Sequence, residues 1–314
     1  MPSNIPYCDE GWNPVSGCTP CSPGCLNCYA KATAQRFPAA HAKPCPTLPE
    51  ECVVSVPFSE VVLHPDRLEK PLHWRKPRVV MVPTMGDLFH EDVPDEFIER
   101  VFAAMNGSYD SGRFRYSDHT FLVLTKRPER MRDFLADWLR RGENGDSLIP
   151  FPFPPANVWL GATVVNQQEA DAKIPILLST PAAHYWCSVE PILGPVDLTV
   201  YLPLLGKRCW DGGTCHHECT PKTGCFRKQC CGPLSEPDHL LDQVIVGCES
   251  GPKRRHARDT WFRTLREQCA EAGVPFYLKQ AEEWQGLAFP KHNTPHGVGK
   301  VIHYVPKPGE LAWR

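Results

Sequence analysis

The chain has 314 residues, a formal net charge of -2 at pH 7 and a pI of about 6.7. This near-neutral balance does not indicate a polycationic nucleic-acid-binding protein, although a local basic patch remains open. Hydrophobic residues make up 42% and charged residues 22%, which is typical of a globular protein and excludes a disordered chain. The N-terminus lacks a signal-peptide pattern, and no run reaches the ~18 to 20 apolar residues of a membrane helix. We therefore expect a cytoplasmic protein with no membrane partner.

The first predicted element is a cysteine-rich loop that runs into a helix-like segment. The stretch WNPVSGCTPCSPGCLNCYAKA begins at Trp12 and contains Cys18, Cys21, Cys25 and Cys28. Sixteen cysteines in a chain without secretion signals are more often metal ligands than disulfide partners. The spacing leaves open a disulfide knot, a structural zinc site made of two Cys-x2-Cys pairs, and an iron–sulfur site held by three or four thiolates.

Six short apolar runs further along the chain are predicted strands. They are rich in β-branched and aromatic residues without clean alternation, as strands buried on both faces of a parallel sheet are. Helix-like segments from Pro94, Pro128 and Asp259 lie between some of them. This alternation predicts an α/β fold, either a barrel or a doubly wound sheet. The runs begin at Arg78, His119, Asn157, His184, Asp242 and Val274.

Two segments interrupt this pattern. Residues 37–58 are proline-rich and loop-like, and residues 207–238 are predicted to be a polar insertion between two strands. The insertion is too polar to form its own core, so it either binds a metal or stays a reduced loop. A second metal there, zinc or an auxiliary iron–sulfur cluster, would use ligands between 209 and 231. The candidate ligands are Cys209, Cys215, His216, His217, Cys219, Cys225, Cys230 and Cys231.

Polar residues end the predicted strands, and in a parallel barrel these carboxyl ends meet on one side. Each has a simpler interpretation, such as helix capping by Asp87, but the set indicates a site. Glu190 is the strongest candidate because an unpaired buried carboxylate is costly. His90, beside Glu91 and Asp92, is predicted to form a surface pair with these carboxylates, and the basic runs KPLHWRKPR and GPKRRHARD to be solvated faces or phosphate contacts. The strand-end residues are Thr84, Gly86, Asp87, Thr125, Lys126, Arg127, Thr163, Asn166, Ser188, Glu190, Glu249, Ser250, Lys279 and Gln280.

The loop Cys21-Ser-Pro-Gly-Cys25-Leu-Asn-Cys28 resembles the radical S-adenosylmethionine signature. The downstream order, with Thr-Met-Gly-Asp from Thr84 and Thr-Lys at Thr125, is similar to the spore photoproduct lyase branch of that superfamily. Closer still is a phage-encoded family of three-Cys-motif proteins, which WNPVSGC, PGCLNCYA, GDLFHEDVP, LTKRPERM, SVEPILGPVDL and VGCESGP resemble over residues 12 to 280. In that family the first cysteine corresponds to Cys18, and position 21 is frequently another residue.

The resemblance implies a single domain over residues 1–314, a partial (β/α) TIM-like barrel of about six parallel strands with the Cys-rich insertion. Cys25, Cys28 and either Cys18 or Cys21 would hold a [4Fe–4S] cluster whose open iron binds S-adenosylmethionine. Glu190, Lys126 and Asp87 are the implied catalytic candidates. The implied contacts to S-adenosylmethionine are Thr84, Gly86, Asp87, Thr125, Thr163, Asn166 and Ser188.

The activity implied is reductive cleavage of S-adenosylmethionine to a 5′-deoxyadenosyl radical, which abstracts hydrogen from a substrate. A DNA or RNA base or a modified nucleotide is the substrate class that the phage and lyase likenesses suggest. An electron donor such as flavodoxin or ferredoxin would be a partner. The competing hypothesis is a non-catalytic zinc-binding module that recognises nucleic acid, with the four loop cysteines as its metal ligands.

Overall fold

The computed structural model describes residues 5–44, 53–110, 113–143, 155–203, 239–282, 301–303 and 311–312. The strands are β1 (Glu10–Gly11), β2 (Val15–Ser16), β3 (Ala42–Pro44), β4 (Val53–Ser55), β5 (Val62–Leu63), β6 (Val79–Val82), β7 (Gly107–Asp110), β8 (Arg113–Tyr116), β9 (Thr120–Thr125), β10 (Val158–Val164), β11 (His184–Val189), β12 (Gln243–Gly247), β13 (Phe276–Glu282) and β14 (Val301–His303). The α-helices are α1 (Tyr29–Arg36), α2 (Asp95–Asn106), α3 (Pro128–Glu143), α4 (Gln167–Leu178) and α5 (Asp259–Ala272).

One mixed α/β sheet organises the described residues. Its strand order is β1-β6-β9-β10-β11-β12-β13-β14, and the first seven strands run parallel while β14 pairs antiparallel to β13. From β6 onward, successive parallel strands are also neighbours in space. Right-handed crossovers between such neighbours place the connecting helices on the same face, so the sheet curls into a half-barrel. This order decides against a doubly wound sheet, whose strand order reverses part-way.

All six predicted strands are confirmed, as β6 and β9 to β13, but the parallel sheet contains seven strands rather than about six. The additional strand is β1, which is only two residues long. Its pairing of Glu10 with Val80 and of Gly11 with Met81 is a contact across some 70 residues. A two-residue strand has no periodicity of its own, so the sequence pattern could not reveal it.

The predicted helices from Pro94, Pro128 and Asp259 are confirmed as α2, α3 and α5. Helix α4 was not predicted, because Pro175 lies inside it and interrupts the helical pattern. Two features stabilise α4 despite the proline. The side chain of Asn166 caps its first turn by accepting the Glu169 N–H at 2.9 Å, and Ile174 and Leu177 are fully buried.

The sheet is buried on both faces, and large aromatic rings fill part of its core. Every residue of β10 is buried. At Gly161 of that strand, an added Cβ would lie 2.4 Å from the ring of Trp186, so glycine is needed for the indole to fit. Tyr7 packs edge-on against Trp186 at 6.4 Å and against Tyr277 at 5.9 Å between ring centroids. These rings close the core around β11 and β13.

The chain between β1 and β6 makes a long excursion instead of one crossover helix. It contains β2 paired antiparallel with β5, β3 paired with β4, and helix α1. The predicted proline-rich loop at 37–58 thus contains, where it is described, the antiparallel strand pair β3 and β4. The Cys-rich insertion at 207–238 and its possible second metal lie outside the described residues. In the part of the chain that is described, no helix is long and apolar enough to span a bilayer.

Candidate functional site

The cysteine loop lies against the carboxyl end of β6, and two glycines permit this approach. Gly17 pairs with Gly86 in an isolated parallel bridge, and the Gly17 N–H donates to Met85 O at 2.9 Å. Gly17 has a φ of +88°, and an added Cβ there would lie 2.2 Å from Glu60 O. At Gly86 a Cβ would lie 2.9 Å from Gly17 O. The glycines of the Ser-Gly-Cys and Met-Gly-Asp sequences therefore form one close backbone contact.

Asn13 fixes the end of β6 from the other side of this contact. Its Oδ1 accepts hydrogen bonds from the Thr84 N–H at 2.6 Å, the Thr84 hydroxyl at 3.0 Å and the Met85 N–H at 2.8 Å. The Tyr29 hydroxyl, at the start of α1, donates to Thr84 O. Thr84, a predicted cofactor contact, thus has its backbone and side chain engaged by the cysteine-loop region itself.

Asp87 joins the ends of β6 and β9. Its side chain is 7% exposed, and its oxygens accept from the Thr125 hydroxyl at 2.7 Å, the Phe89 N–H at 3.0 Å and the Lys126 N–H at 3.0 Å. Arg127 lies 3.5 Å from the same carboxylate. A buried carboxylate with this many donors holds two strand ends together, so Asp87 and Thr125 both have a positioning role here.

Arg127 connects the end of β9 to the cysteine loop. Its guanidinium donates to Cys18 Sγ at 3.3 Å, to Thr19 O at 3.1 Å and to the Thr19 hydroxyl at 2.9 Å. It also bonds Glu91 at 3.0 Å. Burial by itself lowers the pKa of this guanidinium. Asp87 and Cys18 raise the pKa by more than burial lowers it, so the net shift is upward. Arg127 therefore remains a cation that bridges two carboxylates and a thiol.

The loop itself is compact around Cys25. Residues Pro23–Cys25 form a 3-10 turn in which the Ser22 side chain accepts the Gly24 N–H at 3.1 Å. The Cys21 thiol donates to the Cys25 sulfur, and this bond is the main reason that the pKa of Cys25 falls to about 5. The same bond raises the pKa of Cys21. The positive charge of Lys126 makes a smaller contribution to lowering the pKa of Cys25.

Cys18 and Cys28 flank this turn. Burial, with a contribution from Asp87, raises the pKa of Cys18 to about 11, although Arg127 opposes the shift. Cys28 directly precedes α1 and packs beside Ala30, Ala34 and Met85. The Cys18 N–H donates to Phe58 O at 2.8 Å, which fixes the start of the loop.

Four thiols on one short loop form a donor set that suits an iron–sulfur cluster or zinc. Among the described residues, no group of three or more His, Cys, Asp or Glu side chains converges as ligands of a single metal ion do. A cubane binds each thiolate at a different iron, so its ligands need not meet at one point. The lowered pKa of Cys25, beside the Cys21 sulfur, fits thiolate ligation.

A second contact region ties the cysteine loop to the end of β12. The Asn27 side chain donates to Glu249 at 3.0 Å and to Lys253 O at 2.9 Å. Arg255 bonds Glu249 through its backbone N–H at 2.7 Å, and its side chain donates to Pro23 O at 3.0 Å. Burial by itself raises the pKa of Glu249, but its bonds to Arg255 and Asn27 outweigh burial and lower it.

Glu190 lies at the end of β11 and is paired. Its carboxylate bonds the ammonium of Lys279 on β13, and the two side chains are 17% and 18% exposed. The Lys279 ammonium also lies 6.0 Å from the centroid of the Tyr7 ring. Burial and, to a smaller extent, Glu190 raise the pKa of Tyr7. Glu190 and Lys279 thus form a partly accessible ion pair beside the aromatic core.

The remaining predicted contacts differ in their availability. Thr163 and Ser188 are register partners on β10 and β11, and both are buried. Asn166 uses its side chain to cap α4. Lys126 is half-buried, with its backbone N–H on Asp87. The structure thus brings Asp87, Thr125 and Lys126 together at one strand pair, and Thr163 and Ser188 at another.

The family model described as "Protein of unknown function (DUF5131)" matches residues 2–302. The chain belongs to the DUF5131 family. Comparisons with curated proteins and with solved structures returned no match. All four loop cysteines of this DUF5131 member, and the strand ends that contact them, lie within the matched residues.

His90 of the DUF5131 chain differs from its sequence-based interpretation. The predicted pairing with Glu91 and Asp92 is present, at 3.6 and 3.7 Å, but His90 is 0% exposed and does not lie on the surface. Its Nε2 lies 2.8 Å from the Thr19 hydroxyl, and its Nδ1 accepts the Asp92 N–H at 3.1 Å. Burial lowers the pKa of His90, which favours the neutral imidazole. This ring contacts the cysteine loop at Thr19.

Sequence reasoning missed several residues that shape the site of this DUF5131 member. Asn13 and Asn27 lie inside the motifs quoted above, but no sequence pattern predicts their hydrogen-bond partners. Arg127 was noted beside Lys126, yet its contact to the loop depends on the fold. A buried cluster was also missed, in which the Ser16 hydroxyl lies 2.9 Å from His41 Nδ1 and 2.7 Å from His64 Nε2.

Proposed function

We propose that the chain is a radical S-adenosylmethionine enzyme whose cysteine loop holds a [4Fe–4S] cluster through three thiolates. The observation that carries this proposal is the anchoring of the loop at the carboxyl ends of β6, β9 and β12. Functional groups of parallel half-barrels gather at those ends. In this proposal the sheet is the partial TIM-like barrel of such enzymes, and the resemblance of the cysteine motif supports the identification.

Cys25 and Cys28 are two of the proposed ligands, and either Cys18 or Cys21 is the third. Such a cluster supplies one electron for cleaving S-adenosylmethionine into methionine and a 5′-deoxyadenosyl radical, which abstracts hydrogen from a substrate. Arg127 holds Cys18 and Thr19 in place. Lys126 contributes positive charge beside Cys25, which favours thiolates.

The chain's other residues position ligands and exclude water. Asp87 and Thr125 fix the strand ends on which the loop lies. The Glu190–Lys279 pair offers both a carboxylate and an ammonium to polar groups of a ligand, and Thr163 and Ser188 offer hydroxyls from neighbouring strands. Tyr7, whose ring centroid lies 6.0 Å from the Lys279 ammonium, is buried and shields one side of this pair from water, and a reactive radical needs exclusion of water.

The proposed substrate is a nucleic-acid base or a modified nucleotide, and the proposed reductant is a flavodoxin or a ferredoxin. Both follow from the family likeness of the motifs, since fold alone does not specify a substrate. The phosphate-bearing substrate class agrees with the positive charge of Lys126 near the loop.

The test is anaerobic purification and reconstitution, followed by iron, sulfide and zinc analysis. We expect brown protein with iron and sulfide, broad absorbance near ~400 nm, and 5′-deoxyadenosine after addition of dithionite and S-adenosylmethionine. Cys25→Ala should abolish both cluster and product. Comparing Cys18→Ala with Cys21→Ala identifies the third ligand, because only the ligand's variant loses iron. Colourless protein that holds zinc and no sulfide would overturn the proposal and support the zinc module.

A further inference from the structure

Two segments, one containing the cysteine loop and one bonded to it, contain basic residues and no carboxylate side chain. Residues 11–49 and residues 250–258 include no Asp or Glu, although the whole chain has more acidic than basic residues. Exposed cations on these segments are Lys31 and Arg36 of α1 together with Lys253 and Arg258 after β12. We call these four residues the basic rim. Because net charge is -2 overall, this is a local segregation of positive charge.

The two segments form one surface because side chains join them. Asn27 donates to Lys253 O at 2.9 Å, and Arg255 donates to Pro23 O at 3.0 Å. Glu249 is buried and already bonded to Arg255 and Asn27, and Asp259, directly after Arg258, pairs with Arg263 at 3.2 Å. Glu91, on the other side of the loop, is bonded to Arg127. The basic rim therefore consists of exposed cations on the segment that contains the cysteine loop and on the segment bonded to it.

Large apolar side chains are exposed on the segment that contains the cysteine loop. Leu26, Tyr29 and Phe37 are 75%, 53% and 54% exposed. The Arg36 guanidinium lies 5.2 Å from the centroid of the Phe37 ring. Tyr29 and Arg36 are seven residues apart on α1, so they share a helix face. Exposed rings interleaved with cations are the arrangement with which proteins bind single-stranded nucleic acid, by stacking bases and pairing phosphates.

We propose that the basic rim, with Tyr29 and Phe37, binds single-stranded nucleic acid and presents a base to the strand ends. The role of that base as substrate rests on the proposed function, whereas binding itself does not require a cluster. An acidic carrier protein would also satisfy the cations, but exposed rings beside them favour a ligand with stacking bases. The partner is thus a polyanion with aromatic bases rather than an acidic protein.

The experiment measures fluorescence anisotropy of a labelled 12-nucleotide single-stranded oligonucleotide with the full chain, over about 50 to 200 mM salt. The test variant carries Lys31→Gln, Arg36→Gln and Lys253→Gln. If all three cations contact phosphates, the slope of log K against log salt becomes less negative by about 2, since each contributes ~0.7 on single strands. Phe37→Ala should weaken binding roughly tenfold through lost stacking.

A matched control carries Lys70→Gln, Arg75→Gln and Lys76→Gln, three exposed cations that precede the amino end of β6. This control should keep the wild-type slope and affinity. The proposal is overturned if the oligonucleotide does not bind at low salt, if the test variant keeps the wild-type slope, or if the control loses as much. It is also overturned if binding of labelled flavodoxin depends on the basic rim and binding of the oligonucleotide does not.

Iron content and 5′-deoxyadenosine formation are measured on the same preparations. Binding that needs the basic rim in protein without a cluster supports this inference while the enzymatic proposal fails. Cluster and product formation without rim-dependent binding refutes this inference while the enzymatic proposal stands. Thermal unfolding of each variant confirms that the substitutions leave the fold intact.

Discussion

Replacing Asp87 by asparagine tests the idea that one buried carboxylate holds the ends of β6 and β9 together. The four donors around Asp87 are the Phe89 N–H, the Thr125 hydroxyl, the Lys126 N–H and the Arg127 guanidinium. Asparagine keeps the shape but turns an amide N–H₂ toward two of these donors. Charge-assisted bonds contribute about 1.5 to 3 kcal/mol each, and a buried N–H left unpaired costs a further ~1 kcal/mol or more.

We expect Asp87→Asn to lower the free energy of unfolding by about 3 kcal/mol, and the melting temperature by about 4 to 5 °C. Circular dichroism during urea and thermal unfolding measures both. Asp92→Asn is the matched control, because that side chain is 64% exposed, and it should stay within about 0.5 kcal/mol of wild type. A folded Asp87→Asn protein as stable as wild type would refute the reasoning.

Three further predictions concern the same region. Gly17→Ala should prevent normal packing of the cysteine loop, because φ is +88° and the new Cβ would lie 2.2 Å from Glu60 O. Limited proteolysis near residue 18 should therefore increase, and an unchanged rate of proteolysis contradicts this prediction. Burial, with Arg67, lowers the pKa of His64 from 6.5 to about 4, so the folded state favours neutral imidazole. The stability that neutral His64 contributes is complete above pH ~6.5 and is lost as pH falls toward about 4. The melting temperature of His64→Asn should therefore fall less between these pH values than that of wild type. The pKa of Glu249 is also lowered in the folded state, so the stability that its carboxylate contributes is present above pH about 4.5 and is lost as pH falls through the lower folded pKa. Stability of Glu249→Gln should therefore depend less on pH below ~4.5 than that of wild type. An unchanged pH dependence argues against the contact of Glu249 with Arg255 and Asn27.

The sequence predicted elements whose signal is local and missed those whose signal is a distant partner. Apolar runs and helical periodicity identified β6, β9 to β13 and three helices, because burial of whole faces leaves a pattern. Strand β1 is too short for any pattern. Polar strand ends pointed to Asp87 and Glu190 and to the residues that donate to them, Thr125, Lys126, Arg127 and Lys279, but not to which of them pair.

The contacts that hold the cysteine loop span large sequence separations. Asn27 and Glu249 are 222 residues apart, and Arg127 and Cys18 are 109 residues apart. No local rule relates such positions, so Asn27 was only a spacer between Cys25 and Cys28 in the sequence. His90 was misjudged for the same reason, since its burial under Thr19 is created by the loop folding over it.

The half-barrel separates residues that stabilise it from residues available for chemistry. Around Gly161 the packing is closed, because the Trp186 ring occupies the space where a Cβ would lie. Glu190 and Lys279 lie at the strand ends, where each keeps partial access to solvent and the other's charge offsets desolvation. A substitution such as Gly161→Ala must therefore disturb the fold before any ligand is bound. Lys279→Met can remove the ammonium with a smaller change in packing, but it leaves the Glu190 carboxylate unpaired. The partly exposed Glu190–Lys279 pair, rather than the closed aromatic core, is thus the part of the sheet that a charged ligand can reach.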